Sequence, residues 1–230
     1  MSRPSLERRR RAPRGSGEQL RVEILDAATE LLLRTGNAKD VSIRAVARRV
    51  GVTSPSIYLH FADKDALLEA VCARYFEALH DEMQQAAQDQ PTTLAALRAQ
   101  GLAYVRFATA TPELYRIATM GEGRQGSDVD ATLNSSAFAH LRGSVETLMA
   151  EGLYPSGDPT PLTLELWAAA HGVAAMLIAK PYLPFGDATA FADNVLRAVC
   201  TGHMTLGIVG PDAGPEEMIS WLFDNKGVHR

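Results

Sequence analysis

The sequence predicts an all-α protein, and three observations support that prediction. Apolar residues recur at three- and four-residue intervals through most of the chain, which is the spacing of one face of an α-helix. No segment shows the sustained alternation of apolar and polar residues that is typical of a half-buried strand. Clusters of glycine and proline divide the chain into segments of helical length. With 230 residues, 46% of them hydrophobic, the chain can form one or two domains at about 150 residues each.

The first two predicted helices have clear ends. The first begins at Gln19 and ends at Gly36, a residue that tolerates the left-handed conformation found after many helices. The second begins behind Ser42, a good N-cap, and ends at Gly51. Each carries an apolar face at helical spacing: Ile24, Leu25, Ala28, Leu31 and Leu32 in the first, and Ile43, Val46, Ala47 and Val50 in the second.

Two further helices complete the N-terminal part. Thr53 can cap a very short third helix, in which Pro55 stands early enough for its missing N–H to be harmless. Asp63 can cap a longer fourth helix whose apolar face reaches Leu79. We therefore expect a compact three-helix head that leads into a connecting helix.

The remainder of the chain keeps the helical pattern. The Gly/Pro-rich segment GPDAGP, residues 210–215, precedes a short terminal helix or a tail. Before it, the pattern predicts helices over Leu94–Thr109, Pro112–Met120, Val129–Glu151, Leu162–Ala179 and Asp187–Val209. The predicted domain organisation is a basic arm, a head, a helical body and a C-terminal tail, over 1–17, 18–65, 66–209 and 210–230.

Positive charge is concentrated at the start of the chain. Residues 1–65 contain 13 Lys/Arg and 8 Asp/Glu, whereas residues 66–230 contain 10 and 19. A basic front on an acidic body favours a polyanionic partner, although a solvated basic tail gives the same count. The run Arg8–Arg11, with Arg3 and Arg14, lies in an arm that we expect to be disordered. That arm either contacts DNA phosphates or a minor groove, or it has no partner.

Several classes of protein are not supported. The apolar run 166–179 is shorter than the roughly 20 residues of a membrane helix, and no secretory signal is expected. Cys72 and Cys200 are too few for a disulfide framework, and we expect both to be reduced. The segment Gly121–Gly126 fits GxGxxG, but no strand precedes it, so it predicts a loop. We expect no catalytic residue, no metal and no cofactor, because no suitable His, Cys or nucleophile spacing is present.

The segment from Ser42 to Phe61, SIRAVARRVGVTSPSIYLHF, has the pattern of a helix-turn-helix. Its apolar positions hold two helices against each other across Gly51, and the second helix of such a motif enters the major groove of DNA. Side chains of the short second helix that remain free for contacts are small or polar. The same spacing also occurs in helix pairs that bind no nucleic acid, so the spacing alone leaves both interpretations open.

The stretch from Leu20 to Val71 resembles the DNA-binding head of the TetR family of bacterial transcriptional regulators. The match is strongest in GVTSPSIYLHFADKDALLEAV, which has the family pattern Gly-Val-Ser/Thr, then Tyr-x-His/Tyr-Phe, then Lys and Leu. The resemblance implies a three-helix N-terminal head, an all-helical C-terminal domain that binds small molecules and dimerises, and a cytoplasmic, nucleoid-associated protein. The segment Trp167-Ala-Ala-Ala-His171-Gly172 is similar to the Trp-His-Gly signature of one TetR subgroup.

Roles in DNA binding follow from the motif and from this resemblance. Ser42 and Thr53 stand at helix starts, where hydroxyls and free N–H groups can meet phosphates. The match favours a base contact for Arg44, whereas Tyr58, His60 and Lys64 match family phosphate contacts. A core tyrosine, a structural histidine and a solvated lysine are the alternatives for these three. The full set of predicted contacts is Ser42, Arg44, Thr53, Ser54, Pro55, Ser56, Tyr58, His60 and Lys64.

The body is expected to dimerise and to bind an effector. The Ala-rich helix near 162–179 and the helix near 187–209 are candidates for a homodimer four-helix bundle, because small side chains permit close approach. His171 follows Trp167 by four residues on one apolar face and can be either a ligand contact or a core histidine. The candidate pocket residues, each of which can instead be simple core, are Tyr104, Phe107, Tyr115, Met120, Phe138, Trp167 and His171.

The sequence therefore predicts a ligand-responsive TetR-type repressor. It would bind a palindromic double-stranded DNA operator as a homodimer and be released by an unidentified small molecule of apolar or aromatic character. The alternative is a small-molecule sensor or carrier without a DNA role. No membrane partner is expected.

Overall fold

The computed structural model describes residues 16–119 and 135–226, and in these ranges it is all-helical, as predicted. One 3-10 turn, Ala38–Asp40, joins the first two α-helices. The α-helices of the described residues are α1 (Ser16–Thr35), α2 (Ile43–Val50), α3 (Ser54–Tyr58), α4 (Lys64–Ala87), α5 (Thr93–Ala110), α6 (Pro112–Thr119), α7 (Ser136–Ala150), α8 (Pro159–Ala179), α9 (Ala188–Val209) and α10 (Pro215–Asn225).

Short polar side chains fix where many of these helices begin. Ser42 accepts a hydrogen bond from the Ala45 amide at 3.2 Å, and Asp187 accepts one from Ala190 at 2.7 Å. Each bond satisfies one of the four amide groups that a helix start leaves without a partner, which is worth about 1 kcal/mol. Thr92, Ser135 and Asp158 cap α5, α7 and α8 in the same way.

The described chain forms two compact units, and the first consists of residues 16–75 with 113–119. Its core contains fully buried side chains from α1, α2, α3 and α4, among them Ile24, Val46, Ile57 and Leu67. The helix α6 belongs to this unit because its apolar side chains pack against the same core: Leu114 and Ile117.

The second unit consists of residues 76–112 and 135–226. The helix α5 packs against α7, α8 and α9, and α8 also packs against α7 and α9. Val145 and Leu148 of α7 and Ala174 of α8 are fully buried in it. A side-chain hydrogen bond joins α5 and α7 in this unit, in which Gln100 Nε2 donates to Ser144 Oγ at 2.8 Å.

The structure differs from the sequence-based helix and domain bounds in four places. The helix α1 begins at Ser16, and α8 begins at Pro159, where Asp158 caps it and a proline in the first turn costs no hydrogen bond. The helix α4 continues without a break past residue 65, where the sequence predicts the boundary between head and body. The helix α6 packs with the head, whereas the sequence places its residues in the body. The predicted start at Val129, the Gly121–Gly126 segment and the Arg8–Arg11 run lie outside the described residues.

The helix α8 is notable for its composition. Among the described residues it is the one helix that is long and apolar enough to cross a membrane, and 28% of its most apolar window is buried inside the molecule. Length and composition alone do not distinguish a membrane span from a helix that packs against protein. Less than a third of that window of α8 is therefore buried within one chain.

Candidate DNA interface and ligand cavity

The turn between α2 and α3 has a left-handed glycine at its centre. Gly51 has a φ of 79°, and its amide donates to the Ala47 carbonyl at 3.0 Å. The next amide, that of Val52, donates to the same carbonyl at 2.9 Å. Residues other than glycine rarely adopt this conformation, so the Gly residue fixes the sharp change of direction between the two helices.

The helix α3 is held in place by a single buried side chain. It has five residues, and Ile57, with no solvent exposure, is the one member that is buried in the head core. Thr53 stands at the N-cap position of α3, but its side chain makes no capping bond to the backbone; its hydroxyl oxygen lies 2.9 Å from that of Ser56 instead. Of the other members of α3, Pro55 and Tyr58 are exposed, Tyr58 to 53%, whereas Ser54 and Ser56 are half-buried.

The structure places the predicted DNA contacts around α2, the turn and α3. Lys64, at the start of α4, is half-buried, and its Nζ donates to the Lys39 carbonyl at 3.4 Å. The others divide into an exposed group, Ser42, Arg44, Thr53, Pro55 and Tyr58, and a half-buried group, Ser54, Ser56 and His60. All nine belong to the first unit.

Two exposed residues of this region were not predicted as contacts. Leu59, directly after α3, is 84% exposed. Arg48 is exposed one helical turn after Arg44, and neither arginine forms an ion pair within the part of the chain that the structure describes. By contrast, the Arg49 Nε donates to Glu30 at 2.9 Å. The four-residue spacing of Arg44 and Arg48 on α2 was the sequence signal for the second cation.

The second unit encloses an apolar cavity of ≈ 40 Å³ among α4, α5, α7, α8 and α9. Three of the predicted pocket residues line it, namely Tyr104, Phe138 and Trp167. Most of the lining was not predicted, because it consists mainly of apolar residues that are indistinguishable from ordinary core in the sequence. It includes Phe76, Leu79 and Met83 of α4, Leu97 of α5, Leu141 of α7, Leu166 and Ala170 of α8, and Leu196 and Cys200 of α9.

A polar group adjoins the cavity at Trp167. The His171 ring lies 5.0 Å from the Trp167 ring, between ring centroids, and its Nδ1 lies 3.3 Å from the Tyr104 hydroxyl. Burial lowers the pKa of His171, so the imidazole is neutral near pH 7. A neutral imidazole and a tyrosine hydroxyl can exchange donor and acceptor roles, which suits an uncharged polar group on a ligand.

The charge at the cavity is neutralised by a neighbour. Arg98 is the only charged side chain among the described lining residues, and its Nε donates to Asp193 Oδ1 of α9 at 2.5 Å. The Arg98 hydrogen bond lowers the pKa of Asp193, which keeps that carboxylate ionised. The cavity therefore offers apolar contacts and no free charge.

The remaining predicted pocket residues lie elsewhere. Phe107, half-buried in the second unit, does not line the cavity. Tyr115 is fully buried in the first unit, because α6 packs there, and so it is separate from the cavity. Met120 lies outside the described residues.

Two family models match the chain, one in each half. The model described as bacterial regulatory proteins, tetR family, matches residues 24–71 and includes α2, the turn and α3. The model described as tetracyclin repressor-like, C-terminal domain, matches residues 97–199, which hold most of the cavity lining.

Relatives and solved structures agree with these matches. The chain is 30% identical over 97 residues to the nucleoid occlusion factor SlmA of Vibrio campbellii, covering 42% of this chain and 50% of that protein. It thus spans about half the length of such curated relatives. A structure of a protein with unknown function from a Rhodococcus species has a TM-score of 0.68 at 26% identity, covering 80% of this chain and 95% of the other.

A further structure shows the fold alone. The fatty acid degradation regulator FadR from Bacillus halodurans has a TM-score of 0.64 at 16% identity, covering 83% of this chain and 97% of that one. The two family models match residues 24–71 and 97–199, and the first of these ranges contains the helix-turn-helix. The chain belongs to the TetR family of transcriptional regulators, which are DNA-binding proteins and not enzymes.

Proposed function

We propose that this protein is a ligand-responsive repressor of the cytoplasm and nucleoid, which binds a palindromic operator as a homodimer. One observation carries the proposal. Buried Ile57 fixes α3 to the head core, and the other side chains of α3 are exposed or half-buried beside the left-handed turn at Gly51. An α-helix held in this way can enter the major groove, which is wide enough to admit it.

Base contacts come from the start of α3 and from α2 in this proposal. Ser54 and Ser56 offer hydrogen bonds to base edges, and Pro55 offers an apolar contact for a thymine methyl group. Arg44 has no competing ion pair within the described residues, so its guanidinium is free to bind a guanine or a phosphate.

Phosphate contacts fix the position of the head on the duplex. Tyr58 ends α3 and Lys64 begins α4, and Ser42 and Thr53 stand at helix starts, where unpaired amides favour anions. His60 completes the set. Such contacts carry no sequence information, but they supply the salt-dependent part of the affinity.

The homodimer interface is proposed on α8 and α9. Four exposed side chains, small or apolar, follow one another at four-residue intervals along α8: Leu164, Ala168, Gly172 and Met176. The exposed Ile208 extends the apolar surface onto α9. A second copy covering this surface explains why so apolar a helix is left largely uncovered within one chain. Two heads related by twofold symmetry then meet half-sites roughly 34 Å apart.

The effector is proposed to be a small, uncharged molecule of apolar or aromatic character. Arg98 is already paired with Asp193, so the cavity gives no free cation to a carboxylate. Because the cavity measures only ≈ 40 Å³, a ligand must enlarge it by moving the helices around it. That displacement releases DNA to the extent that the ligand prefers the enlarged form.

The test compares two pairs of substitutions in the full chain. In the first variant Tyr58→Ala is combined with Lys64→Ala, both on the proposed interface. The matched control combines Tyr182→Ala with Lys180→Ala, an exposed tyrosine and lysine of the second unit. The readout is retention of genomic DNA fragments at about 150 mM salt, since weak phosphate contacts alone do not survive that concentration.

We expect the parent and the control to retain the same discrete fragments. The Tyr58/Lys64 variant should bind them at least about tenfold more weakly, since each lost contact to a charged group is worth about 1.5 kcal/mol or more. Equal retention by all three proteins would contradict the assigned interface. If the parent protein itself retains no DNA fragment, the result favours the sensor or carrier alternative.

A further inference from the structure

The second unit has a groove that is distinct from the cavity. It has a volume of ≈ 310 Å³ and lies between the C-terminal half of α5, the end of α8, the segment that follows α8, and the start of α9. None of its lining residues is shared with the cavity. We propose that this groove binds a small monocarboxylate with an apolar body, as a second ligand site.

The walls of the groove are apolar. Six of its lining side chains come from three helices and one connecting segment: Leu102, Val105, Leu177, Leu183, Phe185 and Ala192. Its volume is at the lower end of the range for small-molecule sites, about 300–1,000 Å³. Burial of an alkyl or aromatic body against such walls gives about 25 cal/mol per Å² of apolar surface removed from water.

One cation lines this groove and has no partner. Arg106 of α5 is exposed, and its guanidinium forms no ion pair or hydrogen bond among the described residues. The described lining residues include no carboxylate. An exposed guanidinium at an apolar surface is suited to a carboxylate, which it binds through two parallel hydrogen bonds.

The first turn of α9 adds to the same preference. Ala188 and Thr189 both line the groove, and they are the first residues of a helix of 22 residues. Asp187 caps this helix by accepting from the Ala190 amide, so its carboxylate is engaged there. The helix start contributes a partial positive charge to the groove, which the Asp187 carboxylate offsets in part, and it does not by itself define the site.

The two arginines of α5 separate the ligand classes. Arg98, at the cavity, is paired with Asp193, whereas Arg106, two helical turns later at the groove, is unpaired. The cavity therefore suits an uncharged molecule and the groove a monoanion. An uncharged ligand and a monoanionic ligand can then bind the same domain at different sites.

The test uses the full chain labelled with ¹³C at leucine and valine methyl groups. Octanoate and octanol, which share an alkyl body and differ in charge, are titrated separately and followed by NMR. Arg106→Gln removes the charge at the groove. Arg142→Gln is the matched control, because Arg142 is an exposed arginine of α7 whose partner is Glu146 and which lines neither the groove nor the cavity.

We expect octanoate to shift the methyl signals of Leu102, Val105 and Leu183 and to bind about tenfold more tightly than octanol. The Arg106→Gln variant should lose that tenfold preference while its octanol affinity stays unchanged, and Arg142→Gln should behave as the parent.

Five results would overturn the proposal, and four of them come from the titrations. These are shifts confined to cavity methyl groups such as those of Leu97 and Leu166, equal affinities for the two ligands, an Arg106→Gln variant that keeps the preference, and no shift at all. Concentration-dependent shifts of the groove signals without ligand would also overturn it, since a second copy of the chain would then occupy the groove.

Discussion

A single methyl group added at Gly51 tests the geometry of the helix-turn-helix. In Gly51→Ala the new Cβ meets no atom within 4 Å, so the substitution introduces no collision. The φ of 79° is nevertheless maintained by the two amide bonds to Ala47. A left-handed conformation costs an L-residue about 1–2 kcal/mol, and we expect the free energy of unfolding to fall by about that amount.

The matched control is the same substitution in a helix interior. Gly143 of α7 also has nothing within 4 Å of an added Cβ, and its backbone is helical. Alanine is the better helix former, so Gly143→Ala should raise the free energy of unfolding by about 0.5–1 kcal/mol. Identical chemistry at two open positions thus gives opposite signs, which depend on φ alone.

The assay is urea unfolding of the parent and both variants at one fixed protein concentration, because a dimer gains stability with concentration. The signal is the fluorescence of a label on the head together with helical circular dichroism. A Gly51→Ala variant as stable as the parent would refute the left-handed turn. Two variants that both gain stability would do the same.

Three further predictions follow from burial. Burial lowers the pKa of His140, His171 and His203, and the neighbouring His80 lowers the pKa of His140 further. Each imidazole therefore binds its proton more weakly in the folded chain than in the unfolded chain. Urea unfolding should show full stability above about pH 6.5 and a free energy of unfolding that falls as the pH decreases below that value. Ile57→Ala should cost about 2–5 kcal/mol in the same assay, because the side chain has no exposure. Burial raises the pKa of the Cys200 thiol, so iodoacetamide near pH 7 should leave this thiol unmodified, as measured by mass spectrometry, until urea is added. If Cys200 of the folded protein is modified as fast as in the unfolded chain, its position in the core is contradicted.

Local features of the fold were predictable because they depend on adjacent residues. Ser42 and Gly51 begin and end α2 as expected, since a hydroxyl before a helix and a glycine after it act within four residues. The membership of α6 was not predictable. The sequence places Tyr115 in the helical body. In the structure, α6 belongs to the head because Leu114 and Ile117 pack against head residues that are distant in the sequence.

The candidate site likewise has features that the sequence predicts and features that depend on long-range packing. The polar outer face of α3 follows from its shortness and from one core position, Ile57. Aromatic residues such as Tyr104 and Trp167 signal a cavity, but its aliphatic lining does not stand out from ordinary core. The pairing of Arg98 with Asp193 joins residues 95 positions apart and depends on how α5 packs against α9. Long-range contacts of that kind leave no pattern in a single sequence.

The central claim is that two copies of α3 read one palindromic site. The most direct measurement is selection of genomic fragments by the purified full chain at about 150 mM salt, followed by footprinting of the enriched sites. The account predicts two protected half-sites, roughly 34 Å apart and related by inverted sequence. Uniform retention of all fragments, lost as salt increases and without protected half-sites, would contradict it.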